Sequence, residues 1–123
     1  MKTADFVTTL FTGKSNPGKV TVTFTMALAA LAKGHSVLVI FMVEAIELGR
    51  PGAMDGIDIG QPFDPVAESL KKFLAAGGRI AVCKACMIHN GLKPEDMAPY
   101  CEIITAPDVV DSLMAAKGSL QIA

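Results

Sequence analysis

From His35 to Met42 the chain is nearly continuous in apolar residues: Val37, Leu38, Val39, Ile40, Phe41 and Met42 follow one another without a polar break. A strand with one wet face alternates apolar and polar residues, whereas an unbroken run belongs to a strand covered on both faces. Double cover is the habit of parallel sheets, whose crossover helices lie above and below the strands. This one segment therefore asks for an α/β domain, in which the rest of the chain supplies strands and helices by turns.

The remaining segments fit that demand. Phe6–Phe11 is rich in β-branched and aromatic residues and reads as a first strand, followed by a loop over 12–18. The next stretch carries two periods. Val20 to Met26 alternates as a half-exposed strand would, yet Val20, Phe24, Leu28 and Leu31 share one helical face. Met26–Ala32 is strongly helix-forming and Lys33-Gly34 supplies an end, so Pro17–Lys33 is read as a helix. Its face at Val22, Met26 and Ala30 is also apolar and is available to another subunit.

Past His35–Met42, a short helix over Ala45–Leu48 precedes a Gly- and Pro-rich loop from Gly49 to Pro62. Loops of that length often cover a site, and this one is expected over one end of the sheet. Pro65–Ala76 reads as a helix with Asp64 as its cap and Val66, Leu70, Phe73 and Leu74 as its buried stripe. Arg79–Cys83 is a strand, Lys84–Asn90 a short helix ended by Gly91, and Lys93–Ala98 a helical turn. Glu102–Thr105 is a strand, Pro107–Lys117 a helix and Ser119–Ile122 a last strand. The sum is one domain over 1–123, a parallel sheet of about five strands covered on both faces.

Charge and cysteine content narrow the function. The 123 residues carry a formal net charge of −1, without the basic excess that a nucleic-acid-binding surface needs. Hydrophobic residues make up 51% of the chain, high for a small monomer with much surface to cover. The uncharged run Val20–Ala32 is too short to span a bilayer, and the N-terminal residues lack the order of a signal peptide. A cytoplasmic protein that buries apolar surface between subunits is the expectation. The 3 cysteines cannot all pair within one chain, so thiol chemistry or metal binding takes precedence over a disulfide framework.

Cys83-Lys84-Ala85-Cys86 is the chemically informative cluster. Cys83 ends a predicted strand, at the sheet edge where open α/β folds bind ligands. Cys86 falls in the first turn of the next helix, where the dipole and free N–H groups should lower a thiol pKa. Lys84 adds positive charge. His89, three residues beyond Cys86, can share its side of the helix as a base or thiolate partner, against the plainer reading of a surface histidine. Glu44, just past the second strand, is expected at the same edge, lining a pocket or capping the helix Ala45–Leu48. Zinc would need a second ligand pair, and only Cys101 and His89 are at hand, so no metal is assigned. Cys101 reads as core. The stretch Gly13–Lys19 has phosphate-loop spacing, but Val20 stands where the magnesium-binding hydroxyl belongs and Pro17 removes a backbone donor. It reads as a polar loop entering a helix.

The segment from Arg79 through Cys83, Cys86 and Gly91 to Leu92 resembles the signature of DsrE/DsrF-like proteins, the YchN-like group. In that family a strand ends in cysteine and a short helix closes at a glycine eight residues later. Leu31–Val37 resembles the family's first helix, ending in Gly34-His35, and Ile40–Ala45 resembles the loop after its second strand. The resemblance implies a three-layer α/β/α fold and homotrimers or homohexamers. It also implies sulfur relay: the cysteine matching Cys83 carries sulfur as a persulfide between donor and acceptor proteins, with no cofactor. Cys86 departs from the DsrE and TusD branch, where that position is usually small and apolar, and leaves two alternatives open. One is a thiol-disulfide redox protein using Cys83 and Cys86. The other is a non-catalytic oligomeric binding protein.

Overall fold

The computed structural model describes residues 1–123. Five parallel strands form one sheet: β1 (Phe6–Leu10), β2 (Val37–Phe41), β3 (Arg79–Cys83), β4 (Cys101–Ile104) and β5 (Gly118–Ile122), in the order β4-β3-β2-β1-β5. The helices are α1 (Pro17–Ala32), α2 (Val66–Ala75), α3 (Lys84–His89) and α4 (Ala106–Ala115), with 3₁₀ segments at Val43–Gly49 and Pro94–Asp96.

Crossover handedness explains the layering. Strand-to-strand connections in parallel sheets are right-handed, so the face a helix covers depends on the direction of the step. The steps β1 to β2 to β3 run one way, and α1 and α2 lie together on one face. The step from β4 to β5 crosses back over the sheet, and α4 lies on the other. The larger core, under α1 and α2, takes Leu10, Val37, Val39, Phe41, Ile80 and Val82 from the strands. There Phe24 of α1 meets Phe41 and Phe73 edge to face, at centroid separations of 6.4 and 5.8 Å. The smaller core, under α4, takes Val7, Leu38, Ile40, Ala81 and Ile104, with Val109 of the helix packed on them. All five residues of β2 are buried, as its unbroken apolar run demands.

The two-period segment is a helix, and its threonines show how. Thr21, Thr23 and Thr25 turn their hydroxyls back to the carbonyls of Pro17, Lys19 and Thr21 at 2.7–2.9 Å. These hydroxyls are thus satisfied within the helix itself. Asn16 Oδ1 accepts from Lys19 N–H at 3.2 Å, and Pro17 supplies a preset first turn. Two sequence expectations are corrected. Asp64 does not cap α2: Pro65 occupies that position, and Asp64 pairs with Lys72 at 3.3 Å. The loop after Gly49, expected as a cover for a site, is packed into the protein instead, because Met54 and Ile57 are buried in the larger core and the Ile57 carbonyl accepts from Val66 N–H at 3.0 Å. No helix is long and apolar enough to cross a membrane.

Candidate functional site

β3 delivers Cys83 to the carboxyl edge of the sheet, and α3 begins at the next residue. Cys83 is the N-cap of α3 and Cys86 lies in its first turn, so the backbone folds one sulfur back towards the other. Cys83 is near enough to act on the Cys86 thiol, adding to the burial that raises its pKa. Gly91, at φ +76°, closes the helix in the left-handed region that glycine adopts freely.

The two cysteines differ in access. Cys83 is 4% exposed and belongs to the larger core. Cys86 is half-buried and lines an open cleft of about 600 Å³ with Val43, Glu44, Ala85, His89 and Asn90. The cleft brings together three of the residues singled out in the sequence, Glu44, Cys86 and His89. Lys84 is exposed and lines a separate, smaller groove towards α4, with Ala85, Ile88, Thr105 and Ala106. Cys101 is distant in role: its thiol donates to the Gly49 carbonyl at 3.5 Å, and burial pushes its pKa up to about 11. No group of three or more His, Cys, Asp or Glu side chains converges as a metal site.

The expected lowering of the Cys86 thiol pKa is overturned. Burial pushes it up, and the hydrogen bond and charge of Cys83 act in the same direction. The backbone N–H of Val43 opposes them by stabilising the thiolate. A six-residue helix has little dipole to offer, and desolvation next to a second sulfur outweighs it.

Val43 and Asn90 are functional candidates that the sequence did not single out. Val43 is the only non-glycine residue with positive φ, at +54°. A β-branched residue there is a genuine outlier, and such strain persists only where surrounding contacts hold it. Asn90 Nδ2 donates to the Val43 carbonyl at 3.2 Å and to the Cys86 carbonyl at 2.7 Å. Glu44 stands exposed at the cleft and does not cap a regular helix, since Val43–Gly49 is a 3₁₀ segment without a side-chain cap. The loop over 49–62 contributes nothing to the cleft, whose wall on that side is Val43 and Glu44.

The phosphate-loop spacing is answered by an internal anion. Lys14 N–H donates to Glu47 Oε1 at 2.8 Å, and a Cβ on Gly13 would overlap the same carboxylate. The loop's donor is committed to Glu47, and the segment leads into α1 as a polar loop.

A sequence profile of the DsrE/DsrF-like family matches residues 1–120. The chain belongs to the DsrE/DsrF-like family. Among solved structures, this family member is similar to the ychN protein from E. coli, with a TM-score of 0.72 at 15% identity over 98% of this chain and 99% of that one. It is also similar to BT1422 from Bacteroides thetaiotaomicron, a conserved protein of unknown function, with a TM-score of 0.66 at 17% identity over 96% and 95% of the two chains. Both likenesses bear out the three-layer parallel fold. No functionally curated protein matches the chain in sequence.

Proposed function

We propose that this DsrE/DsrF-like protein carries sulfur as a persulfide on Cys83, exchanging it with partner proteins through the cleft at Cys86. The observation that carries the reading is the placement of Cys83, a free cysteine at the carboxyl end of β3, against a second free cysteine that faces an open cleft. The Cys83 thiolate attacks the outer sulfur of a donor persulfide, the donor leaves as a thiolate, and Cys83 holds the transferred sulfur. An acceptor thiolate then attacks that outer sulfur and Cys83 is restored, with no net redox change. Burial of Cys83 suits a sulfur that must be kept from oxidants.

The placement of two free cysteines at the N-cap and in the first turn of one helix favours a second reading, a dithiol/disulfide couple. Cys86 can attack the inner sulfur of a Cys83 persulfide, closing a Cys83–Cys86 disulfide and releasing sulfide; a thiol reductant would then reopen it. Incubation with a small persulfide donor, followed by intact-mass and peptide mass spectrometry, separates the readings. Carriage predicts one added sulfur on Cys83 that is absent from Cys83→Ala. The redox couple predicts loss of two thiols and release of sulfide. Uptake of no sulfur by the wild type, or equal uptake by Cys83→Ala, refutes carriage.

Oligomerisation belongs to the same proposal. Val22 and Met26 on α1 and Val110 and Met114 on α4 are exposed, which supports burial of these faces in a homotrimer or homohexamer. Light scattering coupled to size exclusion tests it, and a monomer at micromolar concentration would count against it.

A further inference from the structure

Given the Cys83/Cys86 site proposed above, we propose that Asn90 is a positioning residue that holds the strained Val43 peptide with its backbone N–H facing the Cys86 sulfur. Four observations converge on this. Val43 sits at φ +54° and is 51% exposed, so burial of the valine does not account for its conformation. The Asn90 side chain bridges the Val43 and Cys86 carbonyls at 3.2 and 2.7 Å. Both acceptors are carbonyl oxygens, so only the NH₂ end of the amide can face them and its orientation is fixed by chemistry. The peptide before Val43 is pinned as well: Met42 N–H donates to Leu10 O at 2.9 Å, and Met42 O accepts from Ala45 N–H at 3.0 Å. The C=O and N–H of a planar trans peptide point in opposite directions. Turning the Met42 carbonyl towards Ala45 therefore aims the Val43 N–H the other way, and Val43 lines the same cleft as Cys86, whose thiolate this N–H would stabilise.

An N–H held in that position favours negative charge on sulfur. It serves whichever anion the chemistry places there: the Cys86 thiolate as nucleophile, or the terminal sulfur of a persulfide passing through the cleft. Asn90 touches no reacting atom. It acts by fixing Val43 relative to the helix that carries Cys86.

The test is the pH dependence of Cys86 alkylation by iodoacetamide in a Cys83→Ala background, read by peptide mass spectrometry so that Cys86 is followed alone. Asn90→Ala is expected to move the midpoint to higher pH by up to about one unit, about a tenfold loss of thiolate at a given pH. Val43→Gly keeps the N–H and removes the strain, because glycine adopts positive φ at no steric cost. In a Val43→Gly background the shift caused by Asn90→Ala should therefore shrink. An unmoved midpoint in folded Asn90→Ala, or an equal shift in both backgrounds, overturns the proposal. Should Asn90→Ala fail to fold, Asn90→Ser, whose hydroxyl reaches at most one of the carbonyls, is expected to shift the midpoint in the same direction, and no shift again overturns it. Alkylation needs no persulfide, so these results stand apart from whether the protein takes up sulfur.

Discussion

Replacing the two cysteines one at a time should expose how differently they are held. Cys83 is 4% exposed and packed within the larger core, and its thiol has the Cys86 thiol as neighbour. Serine at that position puts a hydroxyl where the surroundings are largely apolar. An incompletely paired buried hydroxyl costs about 1–3 kcal/mol, so about 2 kcal/mol is the expectation for Cys83→Ser. Alanine removes the sulfur's packing without adding a polar group, at about 1 kcal/mol. Cys86 is half-buried with its side chain towards the cleft, and Cys86→Ser should stay within about 0.5 kcal/mol of wild type. Urea denaturation followed by circular dichroism measures all three, and the expected order of loss is Cys83→Ser, Cys83→Ala, Cys86→Ser. For a chain of this length 1 kcal/mol moves Tm by roughly 3–5 °C, so Cys83→Ser should melt several degrees early. If Cys86→Ser loses as much as Cys83→Ser, or Cys83→Ser melts with wild type, the asymmetry of burial is wrong. The order also decides how sulfur uptake must be assayed: with Cys83→Ala, below the melting range, so that lost chemistry is not mistaken for lost fold.

Gly78→Ala should destabilise by about 1–3 kcal/mol in thermal melts, because its Cβ would enter the ring of Phe73, which is fully buried. Arg79 binds Glu102 by two hydrogen bonds of 2.8 and 2.7 Å and holds its carboxyl below the ordinary value of 4.5. The stabilisation is therefore present above that value and lost as pH falls through the lowered one. Since the Glu102 side chain is 41% exposed, solvent screening limits the cost of Glu102→Gln at neutral pH to about 1 kcal/mol or less, and the gap to wild type should close on acidification. Cys83→Ala should shift Cys86 alkylation to lower pH, because two of the influences that raise its thiol pKa come from Cys83; an upward shift would contradict that account.

The parts of the fold that were legible are those set by local pattern. The apolar run of β2, the stripe of α2 and the alternation of strands with helices each follow from which faces must be covered. The errors share a cause. Asp64 is a good capping residue in isolation, but the chain enters α2 through Pro65 and the carboxylate goes to Lys72 instead. The first turn of a helix lowers a thiol pKa in isolation, but Cys86 is desolvated beside a second sulfur. In both cases a local rule met a tertiary neighbour with the larger effect. Val43 was not legible at all. A valine is among the last residues a sequence pattern would place at positive φ, and the Asn90 that holds it lies 47 residues away.

How that strain survives bears on what the site wall is for. A left-handed β-branched residue costs of order 1–3 kcal/mol, and burial of Ala45, Ile46 and Leu48 in the larger core helps to offset it. The segment is also tied from three directions. Met42, just before it, donates to Leu10 of β1. Glu47 accepts from Lys14 in the loop after β1. Asn90 reaches Val43 from the end of α3. The glycine at position 13, which the phosphate-loop spacing had flagged, belongs to this system, since its missing Cβ makes room for the Glu47 carboxylate. The Gly13 loop therefore contributes to the cysteine cleft without touching it, by anchoring the strand-end segment whose first residue, Val43, lines that cleft. On this account Gly13→Ala, which displaces Glu47 and frees one tie, should raise the pH of Cys86 alkylation by less than Asn90→Ala does, because Asn90 holds Val43 directly. The reverse order would place the hold on Val43 at Glu47.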